Sequence, residues 1–413
     1  MDVLIISISD ELNGASKALF RIHNSLNRLK NVNSKMLVYK RVSGNKNVTE
    51  LKLNYLQNLT FFFKKIINNY LVGALYPKKN SYTLFSHNYF SSNQIFNQLK
   101  KEKIDVLIVG WANSGIFNYH KIKTMDLPTL FVMEDMWYFT GGCHYNLKCE
   151  NYKKVCSKCP VLNSSKSKDL SYFGQKSKLK IYNRNNIFFI AVSKWLKEKG
   201  DKSRLLDSKK IEYIPNTIDH FFFRKINYNP KIGKKLPSNK KIILFGATRA
   251  IDDKRKGLDY LLKALKLINN NKIILVIYGS DQKINNDKRI INYGKIKNDK
   301  TLINLLSAAD LFVAPSIQEA FGLTVLEALS CSLPVVAFEG TGIDTQIDHK
   351  VNGYLAKYLD EKDLAKGIEW TLNHNKNNCL GKAAREKVKN EFSYEIVSQK
   401  YLDFFEKITN EKD

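Results

Sequence analysis

Two glutamates separated by seven residues, Glu319 and Glu327, stand where an apolar run gives way to a glycine turn and then to a helical run. Leu311 to Ala314 is the apolar run and reads as a buried strand stopped by Pro315 and Ser316. Phe321-Gly322 reads as the turn, and Leu323 to Leu329 as the helix. Glu319 is therefore expected at the carboxyl end of a strand and Gly322 at a helix start. Glu327 follows about a turn and a half into the helix, facing the same mouth. Open parallel sheets bind ligands at such places, and the backbone N–H groups of Gly322, Leu323 and Thr324 would favour an anion such as a diphosphate. Two carboxylates flanking a helix start are hard to account for as packing. The bland alternative is a strand–helix unit of another doubly wound protein, with both glutamates solvated.

A second group able to do chemistry is the run C-x5-C-x6-C-x2-C formed by Cys143, Cys149, Cys156 and Cys159. Cys156 and Cys159 have the knuckle spacing by which two thiolates grip one tetrahedral ion, and the other two would complete a four-thiolate shell for a structural zinc. The segment is polar and lysine-rich with little to bury, so a metal would supply its ordering. Free thiols and two disulfides are the alternatives. His144 neighbours Cys143 too closely to bind the same ion comfortably.

The glutamate pair inside EAFGLTVLE, followed by ALSCSLPVVA, resembles the signature of the retaining GT-B glycosyltransferases of family four. The resemblance implies that Glu319 contacts the donor sugar and Glu327 holds the nucleotide ribose, with Phe321, Gly322, Leu323 and Thr324 forming the donor turn between them. Lys256-Gly257 in GATRAIDDKRKGL is similar to the Lys-Gly pair of the family's donor loop, which implies Lys256 on the donor diphosphate. An arginine frequent in the family is Ala247 here, and Arg249 or Arg255 is expected to serve instead. Asn13-Gly14-Ala15 resembles the family's Gly-rich first loop, placing Gly14 near phosphate and acceptor; a plain turn accounts for it nearly as well. Gly110-Trp111 and Glu134-Asp135 resemble positions where the family has His-Trp and His-Asp, and this sequence lacks both histidines. Asp135 remains, at a strand end where a carboxylate can orient an acceptor hydroxyl or the transferred sugar. A glycine is usual where Ser332 stands.

The resemblance thus implies an α/β protein of GT-B type, two facing doubly wound, Rossmann-like parallel-sheet domains with an interdomain cleft. The implied activity is retaining hexosyl transfer from a UDP- or GDP-sugar to a growing surface polysaccharide or lipid-linked oligosaccharide. Glu319, Asp135 and Lys256 would be the catalytic residues. No D-x-D motif stands near a donor loop, so no cofactor is expected for catalysis. A GT-B epimerase or phosphorylase is the alternative, and a basic nucleic-acid-binding protein a third reading.

The elements that must position these residues follow an α/β rhythm. Apolar runs at Val3 to Ser7, Lys35 to Lys40, Ile104 to Val109, Thr129 to Met133 and Phe188 to Ser193 read as strands of a first domain, residues 1–214. The cysteine-rich insert, 143–159, lies within it. Residues 215–240 concentrate Lys, Asn and Pro and read as a linker. Lys241 to Gly246, Lys272 to Gly279, Leu311 to Ala314 and Pro334 to Phe338 repeat the rhythm in a nucleotide-sugar domain, 241–390. Residues 391–413 are expected to form a helix crossing back to the first domain.

At 413 residues the chain is too long for one ordinary core. Its net charge of +28 comes from 67 Lys and Arg against 39 Asp and Glu, which attracts it to acidic membranes or polyanions. The lysines are spread rather than interleaved with aromatic residues in a groove-like pattern, and no nucleic acid is expected. Leu56 to Ala74 is an amphipathic, aromatic segment with Lys64 and Lys65 opposite its apolar stripe; it would either cover the sheet or lie on a membrane. No leader peptide is visible and no run spans a bilayer. A cytoplasmic protein is expected, associated with the inner face of the membrane.

Overall fold

The computed structural model describes residues 1–77, 79, 83–88, 91–100, 102–113, 115, 117–231, 236–247, 249–268, 270–282 and 287–410, the side chains of Lys65 and Asn69 excepted. The chain divides into two compact units, Met1–Asn216 with Val397–Asp413, and Thr217–Ile396.

In the first unit the strands are β1 (Asp2–Ser9), β2 (Asn33–Lys40), β3 (Val48–Glu50), β4 (Val106–Val109), β5 (Thr129–Met133), β6 (Ile187–Ala191) and β7 (Ile211–Tyr213). Among the described residues they join in the order β3-β2-β1-β4-β5-β6-β7, all parallel. Val106-Leu107-Ile108-Val109 and Leu130-Phe131-Val132-Met133 are wholly buried, the unbroken apolar pattern of strands covered on both faces. The helices are α1 (Gly14–Leu26), α2 (Tyr55–Leu75), α3 (Gln94–Leu99), α4 (Leu170–Tyr182) and α5 (Lys194–Asp201). Asn13 caps α1, its side chain accepting the Ser16 N–H at 2.9 Å. Strand order reverses between β1 and β4, so the loops leaving those strands meet at a switch point.

Helix α2 does not place its apolar stripe on the sheet. Phe61 and Val72 point inward, whereas Tyr55, Leu56, Leu59, Phe62, Phe63, Ile66, Ile67 and Tyr70 are exposed, Tyr70 by 71%. Asn68 is buried, and its carbonyl bonds the His87 ring at 2.8 Å. The inward face carries Phe61, Asn68 and Val72, and the apolar stripe faces outward. Lys64 bonds the Ser91 carbonyl at 3.1 Å; the Lys65 side chain lies outside the described residues.

The second unit contains β8 (Lys241–Gly246), β9 (Ile273–Tyr278), β10 (Ile290–Gly294), β11 (Leu311–Ala314), β12 (Val335–Phe338) and β13 (Gly353–Ala356). Their order among the described residues is β10-β9-β8-β11-β12-β13, again parallel throughout. Helices α6 (Leu258–Leu267), α7 (Asp299–Ala308), α8 (Leu323–Ser330), α9 (Glu361–His374) and α10 (Cys379–Lys387) cover it. Ile243, Phe245, Leu275, Val313 and Phe338 pack with Leu261, Leu265 and Ile368 in one core. The reversal recurs between β8 and β11.

Within the segment read as a linker, residues 232–235 lie outside the described ones. Thr217 to Phe223 is fixed in the second unit. The Arg385 guanidinium donates to the carbonyls of His220, Phe223 and Ser330 at 2.6–2.7 Å. The Phe392 carbonyl accepts the Ile218 N–H at 3.0 Å and the Thr217 hydroxyl at 2.9 Å. The helix expected from Glu391 is interrupted. A π-turn over Val388–Phe392 ends at extended Ser393, and α11 (Tyr394–Asn410) starts anew.

Candidate active site

In the second unit, β11 ends at Ala314 and the chain runs on through Pro315 to Glu319, which is 8% exposed. The short 3-10 turn after β8, Lys254–Lys256, brings two cations to it. The Lys256 ammonium lies 2.5 Å from Glu319 Oε2, and Arg255 Nη1 lies 3.6 Å from the same oxygen. Arg255 is itself fixed by Asp253 at 2.8 Å and by the Gln318 carbonyl at 2.6 Å. Burial alone would raise the Glu319 carboxyl, but Lys256 and Arg255 outweigh it and hold it below the usual glutamate range. Arg249, the other candidate cation, is exposed on a turn at φ 59°, so the structure gathers Arg255 and not Arg249 with Lys256 and Glu319.

Helix α8 opens at Gly322, φ 92°, with no side chain capping its first turn. Leu323 and Thr324 are half-exposed there, Phe321 is buried, and Gln346 donates to the Phe321 carbonyl at 2.6 Å. Glu327 is 4% exposed. Burial first, and then the Glu327 carboxylate, push the Tyr278 phenol at the end of β9 well above its ordinary value. Ser332 adopts φ 56°, the left-handed conformation that a glycine would hold without strain.

In the first unit, Asp10 at the end of β1 accepts the Val42 and Ser43 N–H groups, both at 2.8 Å. A side chain placed at Gly14 would meet open space. Asp135 follows β5 and caps a 3-10 turn, Met136–Phe139, accepting the Trp137 N–H at 2.7 Å. Its other oxygen pairs with His144 Nδ1 at 2.6 Å, a partner the sequence reading weighed only as a metal ligand. Glu134 accepts the Asn216 amide at 3.0 Å and helps raise the buried Tyr401 phenol, after burial itself. It braces the interior of this unit.

Cys143, Cys149, Cys156 and Cys159 line one small cavity as free thiols. Burial pushes Cys156 up to about 12 and Cys159 to about 11. Among the described residues no group of three or more His, Cys, Asp or Glu side chains is arranged to hold a metal ion, and the zinc expectation is not supported. The premise that the loop buries little is corrected. Tyr152, Val161 and Leu162 are buried, Asp169 accepts the Cys159 N–H and Gln175 the Cys156 N–H, each at 2.8 Å. Packing and side-chain caps therefore contribute to the order of this loop.

Two parallel-sheet, Rossmann-like units, each with a strand-order reversal and polar residues at the carboxyl ends, define the GT-B architecture. Sucrose-phosphate synthase from Thermosynechococcus elongatus shares the fold with a TM-score of 0.70 at 17% identity, over 99% of both chains. Residues 229–387 match the model of the family described as Glycosyl transferases group 1. An uncharacterized glycosyltransferase of Methanocaldococcus jannaschii is 30% identical over 201 residues, 44% of this chain and 50% of that protein. The Escherichia coli UDP-Gal:alpha-D-GlcNAc-diphosphoundecaprenol alpha-1,3-galactosyltransferase is 27% identical over 223 residues, 51% of this chain and 57% of that one. The matched region spans about half the length of either relative.

Proposed function

We propose that the protein transfers a sugar from a nucleotide-sugar donor to a hydroxyl of a lipid-linked or oligosaccharide acceptor, with retention of configuration. The observation that carries this reading is the Arg255–Lys256–Glu319 cluster beside the start of α8. Breaking the bond between sugar and diphosphate leaves negative charge on the departing oxygens. Lys256, Arg255 and the first backbone N–H groups of α8 supply positive charge there, each such donor being worth about 2.7–4 kcal/mol at an organised site. The chain's own cations thereby do what a divalent metal does in other phosphate chemistry. Glu319 receives hydroxyls of the donor sugar, and Glu327 the ribose diol.

The test is acceptor-dependent nucleotide release from a panel of UDP- and GDP-sugars, the donor first selected by thermal shift. Glu327→Ala is expected to raise the donor KM about tenfold, the loss of one charge-assisted hydrogen bond. Nucleotide release that ignores every added acceptor overturns the transferase reading, and an unchanged donor KM removes the ribose role of Glu327.

The outward face of α2 supports a peripheral contact with anionic lipid at the inner face of the cytoplasmic membrane. No helix among the described residues is long and apolar enough to cross a membrane. An exposed stripe of Leu56, Phe62, Phe63, Ile66 and Tyr70 on a chain of net charge +28 suits a helix lying in the headgroup layer. Sedimentation with phosphatidylglycerol vesicles is expected to pull down the wild type and to lose Phe62→Ser/Tyr70→Ser. Equal sedimentation of both proteins removes this role.

A further inference from the structure

Tyr278 closes β9, and its partner across the parallel ladder is Gly246, the residue that closes β8. The glycine leaves room for the ring, because a Cβ there would stand 2.3 Å from Tyr278 Cε1 and 2.4 Å from Cζ. Gly279 follows at φ 98°, where a Cβ would lie 1.9 Å from the Ala247 carbonyl oxygen. Its N–H bonds the Gly294 carbonyl at 2.9 Å. The ring is thus confined at the carboxyl ends of two neighbouring strands of the second unit.

The hydroxyl at the tip of this ring is out of keeping with its surroundings. Tyr278 is 5% exposed, and among the described residues its Oη finds no hydrogen-bond partner. A buried hydroxyl without a partner lowers stability, and phenylalanine would fill the same space without that loss. Packing alone therefore does not account for a tyrosine here. The ionisable groups that act on the phenol are Glu327 in α8 and Cys331 at its end. Four residues apart, they lie one above the other on the same helix face. Both are buried, at 4% and 0% exposure. Burial pushes the Cys331 thiol up, which keeps it neutral and a weak acceptor. The Glu327 carboxylate is the strong one. Oη is closed to solvent as well, so a ligand reaches it only through a protein group.

We propose that Tyr278 is the positioning residue for Glu327, and that through it the site selects a ribonucleotide over a deoxyribonucleotide. The inference rests on the reading of Glu327 as the ribose contact. The ribose diol donates to the carboxylate and draws one of its oxygens toward the ligand. The phenol O–H then donates to the other oxygen, a charge-assisted bond that the free protein lacks. Burying the hydroxyl without a partner is a cost borne by the free protein and relieved in the bound one, so the relief adds to affinity. A 2′-deoxy sugar has lost one of the two donors that draw the carboxylate over, and it gains less. Tyr278 does not touch the nucleotide, and Gly246, Tyr278 and Glu327 all lie in the second unit.

The experiment is calorimetry of the full chain with UDP, GDP and their 2′-deoxy counterparts, for the wild type, Tyr278→Phe, Glu327→Ala and the double variant. The wild type is expected to hold the ribonucleotide about tenfold more tightly than its 2′-deoxy form, the worth of one charge-assisted hydrogen bond. Tyr278→Phe keeps the ring and is expected to weaken the ribonucleotide about fivefold while leaving the 2′-deoxy form unchanged. The preference then falls to about twofold. In transfer assays the donor KM rises by the same factor while kcat holds. The melting temperature without nucleotide stays level or rises, since the unpaired hydroxyl has gone. On the Glu327→Ala background, Tyr278→Phe is expected to change nothing more. A further loss there routes the effect through another group and overturns the inference. Wild-type affinities in Tyr278→Phe overturn it too, and so does equal weakening of both nucleotide forms; a lowered melting temperature alongside marks a structural role. A wild type blind to the 2′-hydroxyl removes the ribose role of Glu327 and the inference with it. A wild type that binds neither UDP nor GDP fails the nucleotide-sugar reading itself, a result distinct from a discriminating wild type matched by Tyr278→Phe.

Discussion

Glu319→Ala and Lys256→Ala are each expected to lower sugar transfer by about 10²–10³-fold, the cost of removing one organised electrostatic contact from a reacting centre. The two should differ in what else they lose. Lys256→Ala weakens binding of the bare nucleoside diphosphate, because the cation that meets the phosphates is gone. Glu319→Ala leaves that binding in place, since its removal frees Lys256 from a 2.5 Å ion pair. Glu319 is also buried against two cations, so its loss strands positive charge and costs about 3 kcal/mol of stability. Glu319 is thus a structural member as well. Calorimetry with UDP and GDP, together with melting curves, separates these effects. Full turnover in both variants would remove the cluster from the reaction.

Gly257→Ala is expected to be strongly damaging to the second unit. Gly257 has φ 77°, and a Cβ there would lie 1.8 Å from the Pro315 carbonyl oxygen. The Ile317 N–H is bonded to the Arg255 carbonyl at 2.8 Å, so neither side of this contact can withdraw without opening the other. Left-handed strain and the clash together cost about 3 kcal/mol or more. In a unit of this size that lowers the melting temperature by about 10 °C. Arg255 and Lys256 also shift away from Glu319, and nucleotide binding goes with them. A variant that melts with the wild type and binds the nucleotide normally contradicts the assignment of this turn.

The parts of the fold legible in the sequence are those buried on both faces. Val3 to Ile6, Leu130 to Met133 and Leu311 to Ala314 read as strands because parallel sheets demand continuous apolar runs. The Glu319–Glu327 interval was legible because a strand end, a glycine and a helix start follow one another without interruption. The edge strands were not, since Val48–Glu50, Ile290–Gly294 and Gly353–Ala356 are short, and two of them carry polar residues. The orientation of α2 escaped the stripe because Phe61 and Val72 form a second apolar line on its opposite face. His144 was hidden for another reason. Its meeting with Asp135 depends on a loop that only two glycines allow, and no periodicity encodes such a return.

If the outward face of α2 rests on lipid, as proposed above, it bears on how substrate is found. A protein resting on lipid shares a plane with any acceptor carried by a lipid chain, and encounter becomes a two-dimensional search. Capture then depends on how many acceptors occupy a patch of bilayer rather than on their bulk concentration, and the tethered pair acts at a high effective molarity. Under that regime the pocket can hold the acceptor sugar weakly and still turn over, which leaves it free to release the lengthened product without a tight complex to undo.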